Sequence, residues 1–405
     1  MARVVITGIG IYSCIGIGVD EVDTSLRNGR SGIGLLPERT AMGYRSPLCG
    51  LVTRPDATRW LDRKQRAHTS EQGLYAYISA LEALGMAGVD DAMKERDEIG
   101  IIYGNDSSVG ATVTAIDTMR AKHNTTLLGS GSVFRTLNST VTLNLGPMLG
   151  LRGISLSVGG ACTSGSHAIG LGYALIRSGM HNCILCGGAQ EVNDFSVIGF
   201  DGLGVFSMRT DDPQSACRPF DADRDGLVPG GGAASLVLES LDSARARGAR
   251  ILAEVVGYGC SSAGSMAAPS TDGPQRAIAH ALADAHLPAD AIDYINAHAT
   301  STPAGDTAEA QVIARMFGHR PWVSSTKSMT GHEMWMAGAS EAVYSVLMMQ
   351  GGYVAPNINF GRPDEASAQI RIASQTVETQ VDTVLSNSFG FGGTNSALII
   401  KKFTK

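Results

Sequence analysis

Short apolar runs that end in glycine-rich or polar turns, each followed by a stretch with helical spacing, recur along the whole chain. The runs lie at 4–6, 101–103, 154–158, 183–186, 234–238, 292–297, 384–388 and 397–400. Apolar residues recur at helical spacing over 70–84, 164–178, 274–286, 307–317 and 337–349. Strand alternating with helix predicts an α/β protein whose parallel sheets are covered by helices on both faces. The same unit occurs in both halves, as a duplication would produce. At 405 residues the chain exceeds one ordinary core. We therefore expect a half over 1–245 and a second over 246–405, joined by a short surface helix in Leu238-Glu-Ser-Leu-Asp-Ser-Ala-Arg-Ala-Arg-Gly-Ala-Arg. The Thr-, Ser- and Asn-rich stretch 105–140 reads as an irregular insertion.

Hydrophobic residues make up 43% and charged residues 17%, a balance that suits a heavily buried enzyme and excludes a disordered or fibrous chain. The net charge of -6 argues against nucleic acid or an anionic membrane as the main partner. No run approaches the roughly 20 apolar residues that span a bilayer, and the N-terminus enters a strand pattern without a leader. The expectation is a soluble, cytoplasmic protein. Seven cysteines, odd in number and scattered, point to reduced thiols. Cys183 and Cys186 form a Cys-x-x-Cys, but within an apolar run and with no second Cys/His pair nearby, so burial in a strand is the expected role.

In Val158-Gly-Gly-Ala-Cys162-Thr-Ser-Gly-Ser-His, an apolar strand meets a tight turn and then a small-residue helix. Cys162 would stand at the helix N-terminus, where unpaired N–H groups favour a thiolate and small neighbours admit a substrate. A cysteine in such a turn also occurs as a small buried hydrophobe. The second half adds Asn296-Ala-His298-Ala-Thr300-Ser-Thr302-Pro-Ala-Gly305-Asp306-Thr-Ala-Glu309 and Ser324-Ser-Thr-Lys327-Ser-Met-Thr-Gly331-His332. Both are strands leading into turns that carry basic or imidazole groups. Ser386-Asn-Ser-Phe389-Gly-Phe391-Gly-Gly-Thr-Asn395 is a glycine turn able to aim N–H groups at an oxyanion and to place an aromatic gate.

In this order, the motifs resemble the β-ketoacyl-acyl-carrier-protein synthase family, specifically its elongating Cys-His-His branch within the thiolase superfamily. The likeness covers nearly the whole chain, from Val4-Val-Ile-Thr-Gly-Ile-Gly through Arg218-Pro-Phe-Asp-Ala-Asp-Arg-Asp-Gly226 and the glycines at 230–232. It implies the thiolase fold, five layers αβαβα in two pseudo-symmetric halves, and dimerisation through the sheet edge of the first half. It also implies an acyltransferase that carries an acyl group on Cys162 and condenses it with malonyl-ACP, with loss of carbon dioxide, in fatty-acid or type II polyketide or polyene elongation.

By the same resemblance His298 and His332 supply N–H donors to the developing enolate, and the N–H groups of Cys162 and Phe391 form an oxyanion hole, with Phe391 also a gate. Lys327, paired with Glu309, tunes the field, with Asp306 in support, and Thr300 and Thr302 hold the pantetheine arm. The acidic carrier protein would dock on Arg63, Lys64 and Arg66, with Arg120 and Lys122 as weaker candidates. No metal and no cofactor beyond the carrier's phosphopantetheine is implied. The partner besides the carrier is a second copy or a chain-length-factor-like subunit.

Two departures stand out. Glu333-Met-Trp335-Met336 replaces a run of small residues after the histidine, and Leu227 stands where relatives carry phenylalanine. The alternative of a non-condensing chain-length factor is disfavoured by the presence of Cys162, His298, Lys327 and His332. A thiolase would need a second cysteine near the C-terminus, and none follows Cys260. An initiating synthase would have an asparagine in place of one histidine.

Overall fold

The computed structural model describes residues 1–96, 98–263 and 269–404. Two sets of five strands share one plan. The first comprises β1 (Val4–Ser13), β2 (Gly100–Gly104), β3 (Ser155–Val158), β4 (Cys183–Gln190) and β5 (Gly232–Ser240). The second comprises β6 (Ala253–Ser262), β7 (Tyr294–Asn296), β8 (Trp322–Ser324), β9 (Thr383–Phe389) and β10 (Thr394–Lys401). The main helices are α1 (Glu71–Ala87), α2 (Ser164–Arg177), α3 (Asp272–Ala285), α4 (Pro303–Phe317) and α5 (Ala337–Gly351).

The spatial order is β3-β2-β4-β5-β1 in the first half and β8-β7-β9-β10-β6 in the second, so each strand has a counterpart. The sheets meet where Val4–Ile6 pairs with 253–255. The expectation of parallel sheets holds for only part of each set. The first three strands of each order are parallel, whereas the last two run antiparallel. Between β9 and β10 lies only the turn 390–393, far too short for the crossover that a parallel pair requires.

Three apolar cores separate five layers. The central core holds α2 and α5 between the sheets, through Ile169, Ile176, Val343 and Val346. The outer cores hold α1 against the first sheet and α3 with α4 against the second. Alternation along β2 sends Ile102 inward and Ile101 and Tyr103 outward. By the same period Cys183 packs in the outer core and Cys186 in the central one. The two sulfurs of the Cys-x-x-Cys therefore lie on opposite faces of one strand, and the pair cannot act as a bidentate ligand or a disulfide.

Hydrophobic pattern missed β6 because glycines interrupt it. Gly257 and Gly259 face α3, where a β-carbon would come within 2.5 Å of Ala281 O and 2.0 Å of Ala277 O. Gly8 and Gly10 of β1 do the same under α1, at 2.1 Å from Ala83 O and 2.0 Å from Ser79 O. In both halves the outer helix rests directly on the first strand's backbone, which only glycine allows. The stretch 105–140 is also not irregular. It forms a helix over Val109–Lys122, a 3₁₀ turn over Thr125–Leu128 and a short helix over Ser132–Thr136. Its helical residues are threonine-rich, and the Val109–Lys122 helix buries no residue fully, so neither propensity nor apolar periodicity announces it.

Candidate active site

Every predicted catalytic residue follows the C-terminal end of a strand. Cys162 comes after β3, His298 after β7, Lys327 and His332 after β8, and Phe391 after β9. Cys162 and His332 thus stand at equivalent turns of the two halves, ahead of α2 and α5, and face each other across the boundary.

The Cys162 turn is held tightly. Ala161 adopts φ 49°, a conformation that costs a non-glycine residue about 1–3 kcal/mol. Its N–H donates to Asp106 Oδ2 at 2.9 Å, and its carbonyl accepts from Ser164 Oγ at 2.7 Å. Two further left-handed non-glycine residues, Ser301 (φ 72°) and Met334 (φ 47°), lie beside Thr300 and His332. Strain thus sits in three of the site's turns and is imposed by the surrounding packing. Asp106 carries no motif in the sequence, and only the fold brings it beneath the nucleophile.

Burial pushes the Cys162 thiol up to about 11, against the opposing pull of the Phe391 N–H and the Lys327 charge. This corrects the expectation of a resting thiolate: the helix start is present, but desolvation of the buried sulfur outweighs it. Alkylation of Cys162 by iodoacetamide should accelerate about tenfold per pH unit from 7 to 10 without a plateau. A plateau near pH 7 would contradict this assignment.

One ring nitrogen each of His298 and His332 and the Cys162 sulfur lie within 4.8 Å of one another. The two rings meet edge to face at 5.2 Å between centroids. Burial first, then the Lys327 charge, holds both imidazoles well below their ordinary range, so both are neutral at pH 7. Both ring nitrogens of His332 and Nδ1 of His298 are buried without a hydrogen-bond partner among the described residues. Buried polar atoms of this kind are costly unless a ligand completes them. One thiol and two imidazoles at this spacing would also suit a soft metal ion, but the cationic field of Lys327 opposes a dication there.

Lys327 does not pair with Glu309. Its ammonium bonds to Glu341 on α5, with both side chains buried. Burial drives the Glu341 carboxyl up to about 7, with Lys327 opposing. Glu309 instead accepts from the N–H groups of His298 (3.0 Å) and Ala299 (2.7 Å) and from Asn387 Nδ2 (3.0 Å). It fixes the backbone of the histidine turn. Asp306 accepts from Phe220 N at 2.9 Å, and burial raises it to about 7. Arg224, bonded to Asp364 at 2.7 Å and Thr307 at 2.6 Å, ties the 218–226 motif to the start of α4. That motif is a brace for the threonine turn. Glu341 was discernible as the one charged residue of a largely apolar and small-residue helix, which demands a buried partner.

The backbone of His332 is locked between Val228 and Gly230, its N–H donating to Val228 O and its carbonyl accepting from Gly230 N, each at 2.7 Å. The glycine run serves this approach, since a β-carbon on Gly230 would come within 2.7 Å of Thr330 O. Glu333 turns away from the cleft and accepts from Ser13 and Ser340 and from Tyr344 at 3.1 Å.

Cys162, both histidines, Thr300, Thr302, Leu227, Phe389 and Phe391 line one cleft. Thr300 and Thr302 are linked through their hydroxyls at 3.1 Å. Arg63, Lys64 and Arg66 lie outside it on the short helix Arg63–His68, which Asp62 caps, and Arg66 donates to Leu61 O just before that helix at 2.6 Å. Arg120 and Lys122 are exposed in the last turn of Val109–Lys122, Arg120 beside Asp117 at 3.6 Å.

A buried thiol facing two neutral imidazoles, in a duplicated five-layer αβαβα fold, defines the class of thiolase-fold condensing enzymes. Comparison with known proteins gives the family. The family models "Beta-ketoacyl synthase, N-terminal domain" and "Beta-ketoacyl synthase, C-terminal domain" match residues 1–244 and 252–361. The chain is 40% identical over 408 residues to 3-oxoacyl-[acyl-carrier-protein] synthase 1 of Haemophilus influenzae, covering 100% of both chains. A crystal structure of a β-ketoacyl synthase from Burkholderia phymatum superposes with TM-score 0.94 at 37% identity, again over 100% of both. A type II PKS ketosynthase solved with its acyl-carrier protein and bound to the hexaketide matches with TM-score 0.88 at 27% identity over 100% of both. The chain belongs to the β-ketoacyl synthase family, and it is an acyltransferase of the condensing type.

Proposed function

We propose that the protein elongates an acyl chain by decarboxylative condensation with malonyl-ACP, using the residues assembled in this cleft. The single observation that carries the reading is the Cys162 sulfur lying against the Phe391 N–H, with the unpartnered nitrogens of His298 and His332 close by. Cys162 attacks an acyl thioester and expels the pantetheine thiol, the tetrahedral oxyanion being held by the N–H groups of Cys162 and Phe391. The thiol proton ends on the departing pantetheine sulfur, since the resting group is a thiol. Malonyl-ACP then loses carbon dioxide, and its enolate oxygen takes one N–H from each neutral histidine. The enolate carbon attacks the acyl-Cys162 carbonyl and the Cys162 thiolate departs, leaving a β-ketoacyl-ACP two carbons longer.

Thr300 and Thr302 hold the pantetheine arm at the cleft mouth, and no cofactor beyond that arm is needed. A reduced Cys162 suits a cytoplasmic setting, and likeness to type 1 synthases favours fatty-acid elongation over polyketide assembly. The test is intact-protein mass after incubation with acyl-ACP, then product analysis after malonyl-ACP, with Cys162→Ala beside the native protein. An acyl adduct confined to the native protein, followed by a β-ketoacyl product, supports the reading. Condensation by Cys162→Ala would sink it.

The carrier protein docks on Arg63 and Lys64. Because Arg66 is engaged with the Leu61 carbonyl, Lys64→Glu with Arg63→Glu is the cleaner disruption. It should raise KM for acyl-ACP roughly three- to tenfold and leave KM for a pantetheine thioester unchanged. Equal effects on both substrates would place docking elsewhere.

A second protomer pairs along β3, which bonds to β2 on one side only. Leu156 on β3 and Leu143 on the adjoining helix Thr140–Leu149 are exposed, and so are Val133, Phe134 and Leu137 just before that helix. An open strand edge with exposed apolar side chains calls for a partner. Light scattering should give twice the monomer mass, and a stable monomer at micromolar concentration would refute this.

A further inference from the structure

The departure at Trp335 has a physical consequence in this fold. Cys162, Leu227 and Phe391 form part of the cleft wall. Leu227 also belongs to a closed apolar cluster behind that wall, together with Phe206 and Trp335, against which Ala161 and Phe200 pack. Phe200 bridges the aromatic members, at 5.6 Å from Phe391 and 6.2 Å from Trp335 between ring centroids. An acyl group on Cys162 enters from the threonine side of the cleft, so its chain must continue past Ala161 toward this cluster.

The members of the cluster differ in freedom. Phe391 is half-buried in a turn with Gly392 (φ 80°) and Gly393 (φ 76°), where the backbone is permissive. Trp335 is held. Its indole N–H donates to Ser107 Oγ at 2.9 Å, and its side chain is buried. Its carbonyl is wedged beside Gly165 and Gly188, where a β-carbon would come within 3.1 Å and 3.0 Å of it. Both glycines lie in regular elements of the first sheet layer and the central helix layer, so the backbone at 335 has no room to retreat.

We infer that Trp335 is the fixed floor of the acyl pocket and restricts Cys162 to short acyl groups, Phe391 and Phe200 yielding to admit the first carbons and the indole stopping the rest. The inference rests on the reading that Cys162 carries the acyl group. Its test uses the full-length protein with N-acetylcysteamine thioesters from butyryl to hexadecanoyl, following adduct formation on Cys162 by intact mass. In the native protein the butyryl adduct should form at least about tenfold faster than the dodecanoyl adduct. Trp335→Ala should bring the dodecanoyl rate to within about threefold of butyryl, because removing the side chain opens the pocket.

Trp335→Phe covers the case in which the alanine variant fails to fold, and should shift the ratio in the same direction by less. Ser107→Ala, which frees the indole while keeping its bulk, should relax the limit without abolishing it. Native protein that loads hexadecanoyl as fast as butyryl would overturn the inference, and so would Trp335 variants that keep the native ratio. If butyryl gives no adduct on the native protein, the reading of Cys162 falls and this inference with it. A butyryl adduct with an unmoved ratio defeats the inference alone.

Discussion

Alanine at His332 or His298 is expected to slow condensation by about 100- to 10,000-fold while acyl loading of Cys162 stays within about tenfold of native. The asymmetry follows from what the rings do. Both nitrogens of His332, and Nδ1 of His298, have no hydrogen-bond partner among the described residues, so their hydrogen-bonding capacity is available to a substrate oxygen. Loading instead relies on the N–H groups around Cys162, which neither substitution touches. Because the rings are not needed to satisfy protein groups, the melting temperature should fall only by the loss of packing. Single-turnover loading and steady-state condensation, measured separately, decide the matter. Equal losses in both steps would show that the histidines serve the thiol rather than the enolate.

Lys327→Ala is expected to abolish condensation and to destabilise the fold by about 3–5 kcal/mol, since it leaves Glu341 buried without its cation. The deficit should depend on pH in a defined direction. Glu341 already titrates near 7 when paired, and loss of the ammonium must raise it further. The folded variant then binds a proton that the unfolded chain has released, so its stability falls as pH rises from the unfolded carboxyl value through the raised one. Chemical denaturation should therefore find the variant's deficit larger at pH 8.5 than at pH 6. Lys327→Met combined with Glu341→Gln should recover most of the stability and none of the activity, separating the structural part of the pair from its field on the histidines. A deficit that shrinks with rising pH would show that Glu341 is not the group left behind.

Much of the site was legible because turn chemistry is local. The glycines around Cys162, the threonine turn after His298 and the loop at Phe391 announce themselves within about ten residues each, since unusual backbone geometry requires particular residues at fixed offsets. The helices over 164–178 and 337–349 were equally plain, because burial on nearly every side leaves an almost unbroken apolar and small-residue pattern. β6 was hidden by Gly257 and Gly259, whose purpose is to let α3 lie on the strand, a contact with no signature inside the strand itself. The helix Val109–Lys122 was hidden because its residues follow neither propensity nor periodicity.

What the sequence determined by itself was the inventory of reactive groups and the turns that present them: Cys162, His298, Lys327, His332 and Phe391, each at the end of a strand. Tertiary structure alone decided the partnerships and their electrostatic result. Glu341 rather than Glu309 faces Lys327, Asp106 reaches under Cys162 from the loop after β2, and Trp335 is held by Ser107. Ion pairing and desolvation depend on distance and burial in three dimensions, and residues far apart in the chain acquire both only when two pseudo-symmetric halves close against each other. The same closure buries the Cys162 sulfur, and that burial pushes its thiol up against the pull of the helix start that favours the thiolate.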